Sequence, residues 1–365
     1  MPPAKPLTND QVRRLRTAAQ HFHRPQRYSA VDSVRHLVGV QAQVLSAAGL
    51  ALRARTEGLT AEQVDRARLN DRSMVLTWAM RGTLHLIAAE DHGWLQPLVI
   101  EPQIANAHRR LKEEGVPTDQ PAKAVRLIAR MLERVGPLIR SEIAERLRRQ
   151  GIRTEGQAIA HLVWLAAAHG VICYGPDRNG EQCFVLVRDW LGKPKLMEPE
   201  AARAELAVRY LTAHAPATPT DMACWSGLRL TDAKRAWTAI QDRLVAVETD
   251  RGTRWALRSH ETSAPPGLVR LLPAFDEYLL GWRERDIVAS PEQWSRVNRG
   301  GGWLHPVVLH DGRIVATWRM ERSSKTLSIE IKPFDRLPPA VRRGIATEAD
   351  DIATFLNSSA DLVFA

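Results

Sequence analysis

At 365 residues the chain is too long for one typical hydrophobic core, so two to four domains are expected. No apolar run reaches the roughly 18 residues of a membrane helix, and MPPAKPLTND lacks the apolar region of a signal peptide, so a cytoplasmic protein with no membrane partner is expected. The net charge is +10, with 43 arginines against 8 lysines; arginine forks onto phosphates and stacks on bases, which makes nucleic acid a candidate partner, although a GC-rich genome favours the same bias.

In chain order, helices are predicted near 8–22 and 30–38, with Gly39 as a stop. His21 and His23 in QHFHRPQRY have the chemistry of metal ligands, but no further ligands cluster nearby, so a DNA-facing or structural role is preferred. The stretch VGVQAQVL (38–45) places two neutral amides in an apolar run. In an extended segment Val40, Ala42 and Val44 share one face, and Gln41 and Gln43 the other. In a helix, residues two apart diverge, so the two amides act together only on an extended or irregular segment. The ordinary alternative is a half-buried strand with two hydrogen-bonded amides. A helix near 61–69 and a hairpin near 74–88 follow. In MRGTLHL, Arg81, Thr83 and His85 alternate and would share one strand face, either contacting phosphate or forming a solvated edge.

The next stretch repeats a unit. After an amphipathic helix near 120–134, IRSEIAERLRRQ carries Ile139, Ile143, Ala144 and Leu147 at helical spacing, and GQAIAHLVWLAAAHG is a second helix ended by Gly170. VICYGPDRNGEQCFVLV then reads as strand, GPDRNG turn, strand. About 80 residues on, the pattern returns. It comprises a helix near 199–213, the short helix ATPTDMACWSG, the longer TDAKRAWTAIQDRL, and a hairpin around Asp250–Gly252. Three helices followed by a two-stranded wing describe a winged helix, and the first third has room for another. Cys173, Cys183 and Cys224 are too scattered for a disulfide framework or a structural zinc site.

A boundary is expected at SAPPG, residues 263–267. Beyond it LVRLLPAFDEYLL, PVVLHDGRIVATWRM and TLSIEIKPF are β-rich, with HDGR as a hairpin turn. This part reads as a small barrel or sheet closed by a helix near 337–357. Asp276 and Tyr278 are read as structural, the aspartate orienting backbone or an arginine. Arg283, Arg285 and Arg299 are candidate phosphate contacts, against simple solvation. Trp303, after three glycines, is either a groove-inserting aromatic or a packing residue.

Several blocks together resemble the winged-helix DNA glycosylases of the AlkZ/YcaQ type: VGVQAQ, WAMRGTLHL, ATPTDMACWSGL, LLPAFDEYLLGWRERD and HDGRIVATWR. The resemblance covers nearly the whole chain. It implies an α+β fold of three tandem winged-helix domains in a C-shaped arrangement plus a C-terminal β-barrel, divided here at 7–115, 119–195, 198–262 and 267–365. It implies Gln41 and Gln43 as the catalytic Gln-x-Gln motif, since the YcaQ-like branch carries Asp where Gln43 stands. The AlkZ-like branch it points to is associated with self-resistance in organisms that make DNA-alkylating antibiotics.

The expected activity is monofunctional hydrolysis of the N-glycosidic bond of alkylated purines, without cofactor or metal, leaving an abasic site in double-stranded DNA. The two glutamines would hold the attacking water and face a basic channel lined by the winged helices. Tandem domains in one chain remove the need for a dimer, so a nucleoid-associated monomer is expected. The competing readings are a non-catalytic winged-helix regulator or adduct-binding protein, and a protein-interaction scaffold.

Overall fold

The computed structural model describes residues 6–24, 28–259, 265–323 and 326–365. Ser263 and Ala264 of the expected boundary, Pro25–Arg27 of QHFHRPQRY and the first five residues lie outside the described residues. The chain divides into two compact units. The first comprises the chain up to Asp65, Ala204–Trp225 and Leu230 onward; the second comprises Arg66–Arg203 and Ser226–Arg229.

The chain opens with α1 (Asn9–Ala19) and α2 (Ala30–Leu37). Each starts at a reciprocal cap, Thr8 with Gln11 and Ser29 with Asp32, which satisfies amide donors the first turn leaves free. The stop of α2 is not Gly39: Val38 takes the left-handed conformation at φ 69°, a strained choice for a β-branched residue. The short strand β1 (Val40–Gln41) follows, then α3 (Leu45–Arg53), all but two of whose residues are buried, and α4 (Ala61–Leu69).

The second unit holds β2 (Met74–Trp78), β3 (Leu84–Ala88), α5 (His92–Glu113), α6 (Gln120–Val135), α7 (Arg140–Arg149), α8 (Ala158–Ala168), β4 (Ile172–Arg178), β5 (Glu181–Leu186) and the one-turn α9 (Val187–Trp190). Its strands run in the order β3-β2-β4-β5, with Leu76 opposite Tyr174 joining the two hairpins. The turn between β4 and β5 is tighter than GPDRNG implied. Asn179 and Gly180 both take positive φ, the two-residue geometry that fits strand twist, and the strand runs through Asp177 and Arg178 with an irregularity before them.

Next come α10 (Pro199–His214), α11 (Pro219–Ser226), α12 (Leu230–Ala239) and the hairpin β6 (Leu244–Thr249) with β7 (Gly252–Leu257). Helix α12 ends before Gln241, where a single 3-10 turn leads into β6. Along the chain, several helices followed by a two-stranded hairpin thus recur three times.

The last stretch contains β8 (Val269–Leu272), the short α13 (Glu277–Leu280), α14 (Pro291–Val297), β9 (Val307–His310), β10 (Arg313–Ser323), β11 (Thr326–Pro333), α15 (Pro339–Phe355) and β12 (Ser359–Phe364). The HDGR turn forms as expected: Asp311 and Gly312 have φ 47° and 76°, and His310 faces Arg313. The expected barrel is instead an open sheet in the order β12-β11-β10-β9-β8, with no pairing of β8 to β12 among the described residues. Helix α15 does not end the domain, because it crosses over to β12, which runs parallel to β11.

Helix α15 is tied to the N-terminal helices by a buried ionic cluster. The Glu348 carboxylate accepts from Arg24 (2.5 Å), Arg53 (2.9 Å), Arg270 (3.2 Å) and the Leu271 amide (3.1 Å). Burial alone would raise its pKa, but Arg53, Arg270 and Arg24 outweigh that and hold it below the ordinary range. Glu348→Ala would remove the acceptor shared by Arg24, Arg53 and Arg270 and leave Arg53 paired with Asp351 at 2.8 Å, and is expected to cost about 3 kcal/mol of stability, the low end for breaking a buried pair, read from chemical denaturation.

Candidate functional site

The two glutamines lie in the segment that joins α2 to α3. The backbone turns at Val38, extends through β1, and enters α3 after Val44, which is also extended. The paired strand covers only Val40 and Gln41, so the extended run is shorter than the sequence pattern implied. Val40 and Ala42 are buried, Gln43 is exposed, and Gln41 keeps 8% of its surface. The two amides are therefore not both enclosed in a dry core.

The segment is gripped from the PAFDEYLLG block, more than 230 residues away in sequence. The Gln41 amide donates to Oε1 of Glu277 at 2.9 Å. The other oxygen of Glu277 accepts from the indole N–H of Trp225 at 2.8 Å. Both Glu277 and Trp225 are fully buried. The neighbouring Asp276 is equally buried and does the structural work read from its sequence. Its two oxygens receive the fork of Arg55 at 2.8 and 2.9 Å, and one of them also caps α13 through the Tyr278 amide. Arg55 sits two residues beyond α3 and donates further to Gln20, which in turn donates to the carbonyl of Ala213. Tyr278 donates to the carbonyl of Gly312 in the HDGR turn. The helix after the glutamines and the residues behind them are thus pinned to one buried polar network.

Glu277 went unremarked in the sequence. The signal available was its place beside Asp276 in an otherwise apolar block; nothing local pairs it with Gln41 or Trp225.

The remaining candidates are dispersed. In the first unit Arg283 and Arg299 expose their side chains, while Arg285 is half-buried with its guanidinium 5.6 Å from the Trp294 ring. The Arg283 amide donates to Asp221, and the Arg299 amide to the Trp303 carbonyl. Trp303 is 45% exposed on a loop whose three glycines all have positive φ, and it meets Phe275 edge-on at 5.0 Å. It is therefore neither a core residue nor isolated from the block that holds Glu277. His21 stacks on His36 at 3.5 Å. Among the described residues no group of three or more His, Cys, Asp or Glu side chains is placed to hold a metal.

Arg81, Thr83 and His85 lie in the second unit and do not share a strand face. Arg81 is in a 3-10 turn with φ 57°, the Thr83 hydroxyl donates to the Met80 carbonyl, and pairing begins only at Leu84. The Arg81 backbone lies close to that of a residue distant in sequence: a Cβ on Gly227, itself at φ 83°, would fall 2.9 Å from the Arg81 nitrogen. His85 is fully buried, with Nδ1 2.9 Å from the Thr83 carbonyl oxygen. Burial and, secondarily, Arg81 push its pKa down to about 3, which makes it a neutral interior group rather than a surface contact.

Two of the free thiols, Cys173 and Cys183, are poor nucleophile candidates on the same grounds. Cys173 and Cys183 are buried, and burial pushes Cys173 up to about 12. No helix of the described residues is long and apolar enough to cross a membrane.

A family model described as DNA glycosylase AlkZ-like matches residues 34–355, a span that contains Gln41, Gln43, Trp225 and Glu277. The chain is 33% identical over 332 residues to an interstrand DNA cross-link repair glycosylase of Streptomyces sahachiroi, covering 85% of this chain and 87% of that protein. The solved structure of the Streptomyces sahachiroi DNA glycosylase AlkZ matches with a TM-score of 0.81 at 29% identity, over 98% of this chain and 100% of that one.

Proposed function

The chain belongs to the AlkZ-like DNA glycosylase family, and from that premise we propose that it is a monofunctional glycosylase for alkylated purines, acting on N7-alkylguanine, bulky antibiotic adducts and interstrand crosslinks. We read the three rounds of helices and hairpin as winged helices that hold duplex DNA, and the exposed Arg283 and Arg299 as phosphate contacts.

A guanine alkylated at N7 already carries a positive charge. When its C1′–N9 bond breaks, the electron pair goes to N9 and the base departs neutral, so no strong general acid is required. The sugar left behind is an oxocarbenium-like cation. Water adds its oxygen to C1′ and loses a proton to solvent, leaving an abasic site. So electrophilic a carbon needs a placed water more than a deprotonated one. An amide oxygen can accept a hydrogen bond from that water while its NH2 donates to the DNA backbone. Gln41 and Gln43 take these roles, and the reaction so written needs no cofactor. The absence of a carboxylate at position 43 suits substrates whose bond is already labile.

The observation that carries this reading is an exposed Gln43 next to a Gln41 whose backbone is anchored by a buried carboxylate, inside the span that the family model matches. The relative's crosslink repair extends the reading to lesions in which the base is tied to the opposite strand. A duplex with one crosslink through the N7 atoms of two guanines is expected to separate into single strands on a denaturing gel after incubation with the protein. Salt-sensitive binding of that duplex with the crosslink left intact would instead mark a non-catalytic binder.

A further inference from the structure

We propose that Glu277 is the positioning residue of this site, holding the Gln41 backbone so that its amide side chain is fixed for base release, with Trp225 as the group that fixes Glu277. The inference rests on the role given to Gln41 above and adds a residue to it.

A fully buried carboxylate is costly to keep, and for stability alone a well-packed apolar side chain would serve as well. What a carboxylate supplies is direction. Each oxygen of Glu277 is held by a different donor: the Gln41 amide at 2.9 Å on one and the Trp225 indole at 2.8 Å on the other. The base of the side chain is fixed as well, because the preceding Asp276 is locked by the Arg55 fork and caps α13. A rigid path thus runs from Arg55 through Asp276 and Glu277 to the backbone of Gln41. β1 is only two residues long, and Gln43 beyond it is exposed. A shift of about an ångström in a water-placing group can cost a hundredfold in rate.

The test uses the donor and acceptor pattern. Glu277→Gln keeps the shape but turns one oxygen into a donor, which must then face either the Gln41 amide or the indole N–H. Trp225→Phe removes the indole donor, so in the double variant the introduced amide is free to turn its oxygen to Gln41. Two readouts are taken on the full chain: single-turnover base release from a duplex with one N7-methylguanine, and hydrogen exchange of the Gln41 amide.

Glu277→Gln is expected to slow release about 10- to 100-fold while affinity for undamaged duplex stays within about twofold, and to speed Gln41 exchange at least about tenfold. The double variant is expected to regain about tenfold in rate and to recover protection, a coupling that a purely structural loss would not produce. Unchanged Gln41 exchange in Glu277→Gln, or a double variant no faster than Glu277→Gln alone, overturns the proposal. If Glu277→Gln fails to fold, Trp225→Phe by itself must still loosen Gln41 exchange, and no change there overturns it equally. Wild-type protein that releases no base defeats the glycosylase reading instead, and the exchange measurement still decides whether Glu277 holds Gln41.

Discussion

Gln41→Ala and Gln43→Ala are each expected to slow single-turnover release of N7-methylguanine by about a hundredfold, with the double variant little worse than either single one. Both amides are assigned to one water, and once either is lost the water is no longer placed, so the effects should not multiply. At position 43 the folded state should hardly notice. Gln43 is exposed, and substitutions at such positions usually move stability by less than about 0.5 kcal/mol. The bond from position 41 to Glu277 uses the backbone amide, which alanine retains. A rate loss with an unchanged melting temperature would locate the effect in chemistry. Rates that stay at the wild-type level would remove both residues from the mechanism.

Acidification from pH 7 to pH 5 is expected to destabilise the protein by about 6 kcal/mol, about 2 for each of three histidines. Burial pushes His85 and His214 down to about 3 and His92 to about 4, so all three stay neutral in the folded state at pH 5. Their ordinary value is 6.5, so the unfolded chain takes up protons through this window and the folded chain does not. Stability is therefore fully present above pH 6.5 and is lost as pH falls toward the folded values. Glu348 acts in the same direction but lower down: its pKa is depressed in the fold, so its contribution is present above the ordinary carboxylate value of 4.5 and lost below it. Urea unfolding at the two pH values reads the difference directly. A midpoint that does not fall between pH 7 and pH 5 would contradict the buried neutral state of these histidines.

The parts of this molecule legible in its sequence are those fixed by neighbouring residues. Asp311-Gly312 and Asn179-Gly180 set their hairpins through the conformations those residues tolerate. The reciprocal caps of α1 and α2 place helix starts within a residue or two. The Gln-x-Gln segment stands out because two amides interrupt an apolar run, and the blocks around it resemble a known family. What was not legible depends on distant partners. Helix α5 runs through Pro97 and Pro102, which local rules read as breaks. The strand β12 gains its place by pairing in parallel with β11 across a helix, a contact that no local pattern announces. Val38 is left-handed where Gly39 was the natural stop, and Arg81 turns against the backbone of the distant Gly227. Glu277 is the most consequential case. Its partners lie 52 and 236 residues away, and only the fold brings them to one carboxylate.

The central claim is tested most directly by incubating the wild-type protein with a duplex carrying a single N7-methylguanine, then heating in alkali and resolving the strands. Strand cleavage at the lesion that requires both protein and alkali is the predicted result, since a monofunctional glycosylase leaves an intact backbone at an abasic site. Cleavage without alkali would contradict the monofunctional reaction. An uncut strand, in a sample that still binds the duplex and leaves a crosslinked one joined, would contradict the assignment of glycosylase chemistry to this chain.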